Sequence, residues 1–125
     1  MVVTDGDDVV LVRQRRPGAD ARVLELPAGK LDPGEDVRAT ADRELAEECG
    51  LAVAEWRELG SFWAAPAYST ERVTVLAGAV SGTARAEPDE DEEIEVVRRP
   101  MDAVPAALED GISIAAFALY LRESA

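Results

Sequence analysis

Gly29-Lys-Leu-Asp-Pro-Gly-Glu35-Asp-Val-Arg-Ala-Thr-Ala-Asp-Arg43-Glu44-Leu45-Ala46-Glu47-Glu48-Cys49-Gly50-Leu51 is the stretch on which the reading of this chain turns. From about Asp36 to Cys49 it holds neither glycine nor proline and is dominated by good helix formers, and Gly50 stands where a left-handed residue would stop a helix. The spacing predicts a helix there, entered through a loop over Lys30 to Glu35. At 3.6 residues per turn, Glu44, Glu47 and Glu48 share an arc of roughly 100° on one face. Like charges at i and i+4, as Glu44 and Glu48 are, oppose an isolated helix by about 0.2–0.5 kcal/mol, so a compensating cation is expected. Two sources fit: Arg43 on an ordinary solvated face, or a divalent metal ion, for which clustered carboxylates are preferred hard ligands. A metal so held polarises phosphoryl oxygens and lowers the pKa of bound water. The residues of the helix alone leave both readings open.

Outward from this helix the chain alternates apolar and turn-forming stretches. Val9-Val-Leu-Val12 is β-branched and apolar and follows the turn-like Asp5-Gly-Asp-Asp8, which predicts a hairpin of Met1–Val3 with Val9–Arg13. Pro17-Gly18 ends it, and Val23-Leu-Glu-Leu26 reads as a short strand stopped by Pro27 and Gly29. Beyond the helix come strands over Glu55–Phe62 and Arg72–Val80, separated by a loop around Ala64–Thr70. An acidic, turn-prone segment from Gly82 to Glu93 then leads to a strand at Ile94–Val97. Met101–Asp110 and Ile112–Glu123, divided by Gly111, read as two closing helices. Strands, helix, strands, helices is the order of an α/β sandwich built on a mixed sheet.

Composition narrows the function. A chain of 125 residues suits one domain with a single core. The formal charge of −13, from 26 acids and 13 bases, repels nucleic acid and anionic membranes, so neither is expected as a partner. There is no histidine, which removes Ser-His triads, imidazole bases and His-ligated zinc together and leaves acid–base work to carboxylates. Asp5, Asp7 and Asp8 stand where an export signal would carry a basic start, and the one cysteine, Cys49, cannot form an internal disulfide. A cytoplasmic location is the expectation. Cys49 itself is read as a small packing residue rather than a nucleophile.

Gly29, five residues, Glu35, seven residues, then Arg43-Glu44-Leu45-Ala46-Glu47-Glu48-Cys49-Gly50-Leu51 resembles the Nudix box at every defined position, and the strand order around it is similar to the Nudix α/β/α sandwich. The resemblance implies a pyrophosphohydrolase dependent on Mg²⁺ or Mn²⁺. In it Glu44 and Glu48 would bind metal, Glu47 would bind metal or assist water, Arg43 would orient the glutamates by ion pairing, and Glu35 would support them. The carbonyl of Ala28 would be a further metal ligand, in a loop where carbonyls are not already engaged by a helix. Gly29 would allow close approach there.

Val12-Arg-Gln-Arg-Arg16, Leu24-Glu-Leu-Pro-Ala-Gly29 and Gly60-Ser-Phe-Trp-Ala-Ala-Pro66 resemble the ADP-ribose pyrophosphatase branch, in which a proline lies about sixteen residues past the box, as Pro66 lies past Gly50. That branch implies cleavage of ADP-ribose to AMP and ribose 5-phosphate, with Arg16, Glu25 and Pro66 at the substrate; a guanidinium pairs with phosphate in a bidentate way. Glu90 and Glu92, in the acidic segment Glu87-Pro-Asp-Glu-Asp-Glu-Glu93, are the candidates for a loop-borne catalytic glutamate. Phe62, Trp63 and Tyr68 are candidates to stack on a base. Two departures stand out. The extra N-terminal sheet that builds a dimer in many members has no counterpart before Val9, which leaves a homodimer only as an implication of the resemblance, and Ala67 replaces the glycine that often follows the marker proline. GDP-mannose, NADH, dinucleoside polyphosphates or nucleoside triphosphates are the alternative substrates, and a non-catalytic ADP-ribose sensor is the alternative of another class.

Overall fold

The computed structural model describes residues 1–86 and 93–124. Its strands are β1 (Val2–Asp5), β2 (Asp8–Arg16), β3 (Ala21–Glu25), β4 (Leu51–Val53), β5 (Arg57–Trp63), β6 (Arg72–Thr83) and β7 (Glu95–Pro100). Its helices are α1 (Val37–Cys49), α2 (Val104–Ala107) and α3 (Gly111–Ser124). The strands form one mixed sheet in the order β3-β2-β1-β6-β4, with β5 also on β6 and β7 also on β2, and only β1 and β6 run parallel. This is the expected α/β/α sandwich.

Side-chain alternation builds the two layers. Val2, Val9, Leu11, Val75 and Ala77 pack with Ala116 and Phe117 of α3, while their neighbours Val3, Val10 and Leu76 pack with Ala41 and Leu45 of α1. A sheet covered on both faces needs apolar residues at consecutive positions, which is why Val9–Val12 reads as an unbroken apolar run and not an alternating one. The helix α1 forms as expected. The Asp36 carboxylate accepts from the Ala39 amide at its start, and Gly50, at φ 67°, closes its end with its amide on the Ala46 carbonyl.

Several local expectations are corrected, and one strand, β4, is added. Strand β2 runs on to Arg16 and does not stop at Arg13, because β3 pairs with it out to Arg16↔Ala21. Strand β4 has only three residues, too few to show a period in sequence. Strand β6 continues past Val80 to Thr83 because β4 pairs with it there. The helix expected over Met101–Asp110 is a 3₁₀ turn at Met101–Ala103 followed by the single turn α2.

The last correction has a cause that matters for the site. β3 and β1 lie on the same side of β2, one after the other, and the free side of β3 is filled by the segment before α3. The Glu109 amide donates to the Leu24 carbonyl, the Leu24 amide donates to the Glu109 carboxylate, and the Leu26 amide donates to the Ser113 hydroxyl at 2.9 Å. Residues 108–110 are thus drawn into an extended run and cannot prolong α2. Asp110 instead caps α3, accepting from the Ser113 amide.

Ser113→Ala leaves the buried Leu26 amide without its acceptor and is expected to cost about 1–3 kcal/mol in urea unfolding, with the slope unchanged. An unmoved midpoint would show that this hydrogen bond does not hold β3 in place.

Candidate active site

Register gathers the candidate residues at one end of the sheet. β2 is antiparallel to β1 with Thr4 opposite Val9, so Arg13–Arg16 extend past the beginning of β1. β6 is parallel to β1 with Val2 opposite Ala77, so Arg72–Leu76 extend past it in the same direction. β7 begins there too, with Glu95 opposite Arg13. The β2–β3 turn, the loop between β5 and β6, and the entry to β7 therefore share one rim.

On α1, Arg43 is the hub of the glutamates. Its Nη1 lies 3.0 Å from Glu44 and 3.7 Å from Glu47, and its Nη2 lies 3.3 Å from Glu35. Glu35 is fixed from two further directions, since its carboxylate accepts from the Asp32 amide at 3.1 Å and from the Thr40 hydroxyl at 2.9 Å. Its carboxyl is held down to about 2, first by its hydrogen bond with the Asp32 carboxyl and then by that with Thr40, while the Asp32 carboxyl is pushed up by the same contact. Thr40 and Asp32 are members of this network that the box pattern does not mark.

The glutamates also depend on Gly29. A Cβ at that position would collide with the Cγ and Cδ of Glu44, so only glycine lets this carboxylate lie against the loop beside Ala28. Ala28 is exposed and belongs to neither helix nor strand. Glu48 has its Oε2 buried and sits close enough to Arg16 to act on its charge. Among the described residues no three acidic groups converge as a ready-made ion cluster. The donor set is nonetheless all oxygen, as a hard divalent cation requires, and the glycine cradle brings the Glu44 carboxylate against the loop that carries Ala28. The residues present fit such an ion.

Arg16 and Glu25 meet across the β2–β3 ladder in a bidentate pair, Nε and Nη2 to the two carboxylate oxygens at 2.7 and 2.8 Å. Glu25 is buried and both of its oxygens are engaged, whereas Arg16 keeps Nη1 and nearly half of its surface. Asp110, another residue not singled out in sequence, also acts on the charge of Arg16. An Asp directly before a helix is a capping signal, but the reading of Met101–Asp110 as a helix placed Asp110 at a helix end instead.

Pro66 lies exposed in the turn between β5 and β6, where the Ser69 amide closes on the Ala65 carbonyl at 2.9 Å. Next to it, Trp63 carries the Arg72 guanidinium 4.7 Å over its ring, and Tyr68 is 88% exposed. Phe62 packs instead against the α3-side core. Glu90 and Glu92 lie outside the described residues. A cavity of about 660 Å³ opens toward the other end of α1, on Arg38 of its first turn, with Trp56, Arg57 and Gly78, and no residue of the glutamate site lines it.

The fold and this site define a Nudix protein. The NUDIX domain family model matches residues 1–117, and the chain belongs to that family. It is 37% identical over 99 residues to an ADP-ribose pyrophosphatase of Bacillus subtilis, covering 78% of this chain and 54% of that protein. It is 35% identical over 104 residues to a methanol dehydrogenase activator of Bacillus methanolicus, covering 82% and 56%. A crystal structure of an ADP compounds hydrolase superposes with a TM-score of 0.88 at 26% identity, over 97% of this chain and 68% of that one. The chain spans about half the length of the curated relatives it matches.

Burial, reinforced by the charge of Glu48, pushes the Cys49 thiol up to about 12. Because only the thiolate reacts, alkylation of Cys49 by iodoacetamide in the folded protein is expected to be about a thousandfold slower at pH 8 than after unfolding. Its rate should keep rising about tenfold per pH unit above pH 9, where that of the unfolded chain levels off. Rapid labelling of the native protein at pH 8 would mark Cys49 as an activated thiol.

Proposed function

We propose that this chain is a divalent-metal-dependent pyrophosphohydrolase of nucleoside diphosphates linked to a second group, with ADP-ribose cut to AMP and ribose 5-phosphate as the favoured reaction. The observation that carries it is the site on α1: Glu44 laid against the loop at Gly29 and tied, with Glu47 and Glu35, to one arginine. The ADP-ribose preference rests on similarity to an ADP-ribose pyrophosphatase and an ADP compounds hydrolase, and on Arg16, Glu25 and Pro66 at the same rim.

Mg²⁺ or Mn²⁺ would be held by Glu44, Glu47, Glu48 and the Ala28 carbonyl, where it supplies positive charge to the pyrophosphate and lowers the pKa of water. In the reaction a water oxygen bonds to one phosphorus, the bridging P–O bond breaks, and the bridging oxygen leaves with the other phosphate. Arg16 presents Nη1 to a phosphate oxygen while Glu25, itself fully engaged, fixes the plane of the guanidinium. Arg43 positions Glu44 and Glu47. With no histidine in the chain, a carboxylate must take the proton, and Glu47, Glu90 and Glu92 are the proposed groups. Exposed Trp63 and Tyr68 offer faces for a base. We place the protein in the cytosol, acting on a small nucleotide and not on nucleic acid or membrane, with a homodimer as the proposed assembly. Among the described residues no helix is long and apolar enough to cross a membrane.

The test is product analysis with Mg²⁺ or Mn²⁺ on ADP-ribose, GDP-mannose, NADH, diadenosine polyphosphates and nucleoside triphosphates. AMP released chiefly from ADP-ribose is the expected result, with Glu48→Gln lowering turnover by about a hundredfold or more while its far-UV spectrum stays that of the parent. Preference for another member of the panel would keep the chemistry and discard the substrate. Binding of ADP-ribose with no turnover of anything would make the chain a sensor.

A further inference from the structure

Charged residues make up 31% of this chain, yet one exposed face of α3 carries none before Arg122. At about 100° per residue, Gly111, Ile114, Ala115, Ala118, Leu121 and Arg122 fall on one arc of about 120°, and all six are exposed. Ile114 and Leu121 keep 49% and 45% of their surface. The other face of the helix, with Ala116 and Phe117, packs on the sheet. Leu121 also lines a cleft of about 490 Å³ that has Met101 and Pro105 in its walls. A single exposed leucine calls for no explanation, but a continuous apolar stripe marks a surface that another molecule covers.

The order of side chains along the stripe selects that molecule. Turned end for end about Ala118, the stripe sets Leu121 of one copy against Ala115 of the other, large on small, so it is self-complementary as a two-fold contact requires. Its charged ends match in the same sense. Arg122, whose side chain is 73% exposed beside Glu123, closes one end, and Glu109, exposed just before the helix, closes the other. Antiparallel packing carries each Arg122 past Ile114 toward the partner's Glu109, whereas parallel packing sets like charge on like. With a charge of −13 on each chain, contact through the acidic remainder of the surface brings carboxylates together. We propose that the outer face of α3 is where two copies of this chain meet, antiparallel, with Ala118 on the two-fold axis. From Ile114 to Leu121 the stripe is only about 10 Å long, so even with the cleft beside it the contact falls short of the roughly 800 Å² per partner of a stable interface. The dimer is therefore weak, with a dissociation constant on the order of 10 μM. This gives the proposed homodimer a surface and is independent of what the glutamate site cuts.

Sedimentation of the full chain over a micromolar concentration series is expected to show the mass rising toward twice that of one chain. Leu121→Glu and Ile114→Glu, both at half-exposed positions, should each raise the dissociation constant at least about tenfold; the second serves if the first does not fold. In a Cys49→Ser background, Ala118→Cys is expected to cross-link to its own copy under mild oxidation, since the two thiols meet on the axis. Ala54→Cys, equally exposed but off α3, controls for random collision. A parent that stays a single copy, a dimer that both glutamate variants leave intact, or an Ala118→Cys that cross-links no faster than Ala54→Cys would each overturn the proposal. All of these readouts are of assembly, so either result leaves the reaction proposed for the glutamate site standing or falling on its own test.

Discussion

Three carboxylates on one face of α1 repel one another, and the helix forms only if that repulsion is offset. Much of the site follows from how that repulsion is met. Arg43 supplies the neutralising charge to Glu44 and Glu47, but an arginine on a half-exposed helix face has many rotamers, and it is useful only if held. Glu35 holds it, and Glu35 is in turn held by Thr40 from the first turns of the same helix. The loop before the helix is thereby pinned along it. That pinning brings the backbone at residue 29 so close to Glu44 that no side chain fits between them. The glycine, the loop glutamate and the arginine are consequences of one electrostatic problem and not independent features.

The second half of the rim is rigid for a different reason. β3 has a ladder with β2 on one side, and on the other the Glu109–Ser113 segment takes the place of a missing strand. An edge that would otherwise expose its amides is covered, and Leu24 and Leu26 are buried against the core on the α3 side. Glu25, between these two leucines, points to the opposite face of the strand, where it meets Arg16. Its position is thus set by the packing of its neighbours. A carboxylate so buried is tolerable because both oxygens are bonded to a guanidinium, and the arginine gains a fixed plane in return.

What could be read in the sequence divides along physical lines. The helix over α1, its glycine stop and the shared face of Glu44, Glu47 and Glu48 depend only on local period and local chemistry, and they were legible before any fold was known. The two-layer sandwich was legible for a similar reason, since apolar strands and helices in that order have few ways to bury their faces. The brevity of α2 was not, because Ala106–Glu109 are good helix formers and only the demand of β3 for hydrogen-bond partners draws Glu109 away from the helix. The ends of β2 and β6 were misjudged likewise: a strand ends where its partner ends, and partners are distant in sequence. In the site, Arg16 and Glu25 pair through their side chains although register sets Arg16 opposite Ala21 and Glu25 opposite Val12, and the roles of Thr40 and Asp110 appear only once loops have closed on the elements they touch.

The charge of the whole chain poses a final problem for the proposed substrate. With 26 acids against 13 bases the long-range field repels a pyrophosphate, so encounter cannot be steered by net charge. The arginines around the glutamates are, among the described residues, already engaged. Arg43 is committed to three carboxylates, Arg16 to Glu25, and Arg13 and Arg22 to Glu95 at the start of β7. Of these, Arg16 combines a fixed plane with a guanidinium nitrogen, Nη1, that no other described residue engages, and one hydrogen bond is little against two phosphates. The remaining attraction has to arrive with cations, and the groups able to hold them are the same glutamates that make the protein acidic. On that reading the excess of carboxylate is the means by which an anion-processing site recruits its positive charge.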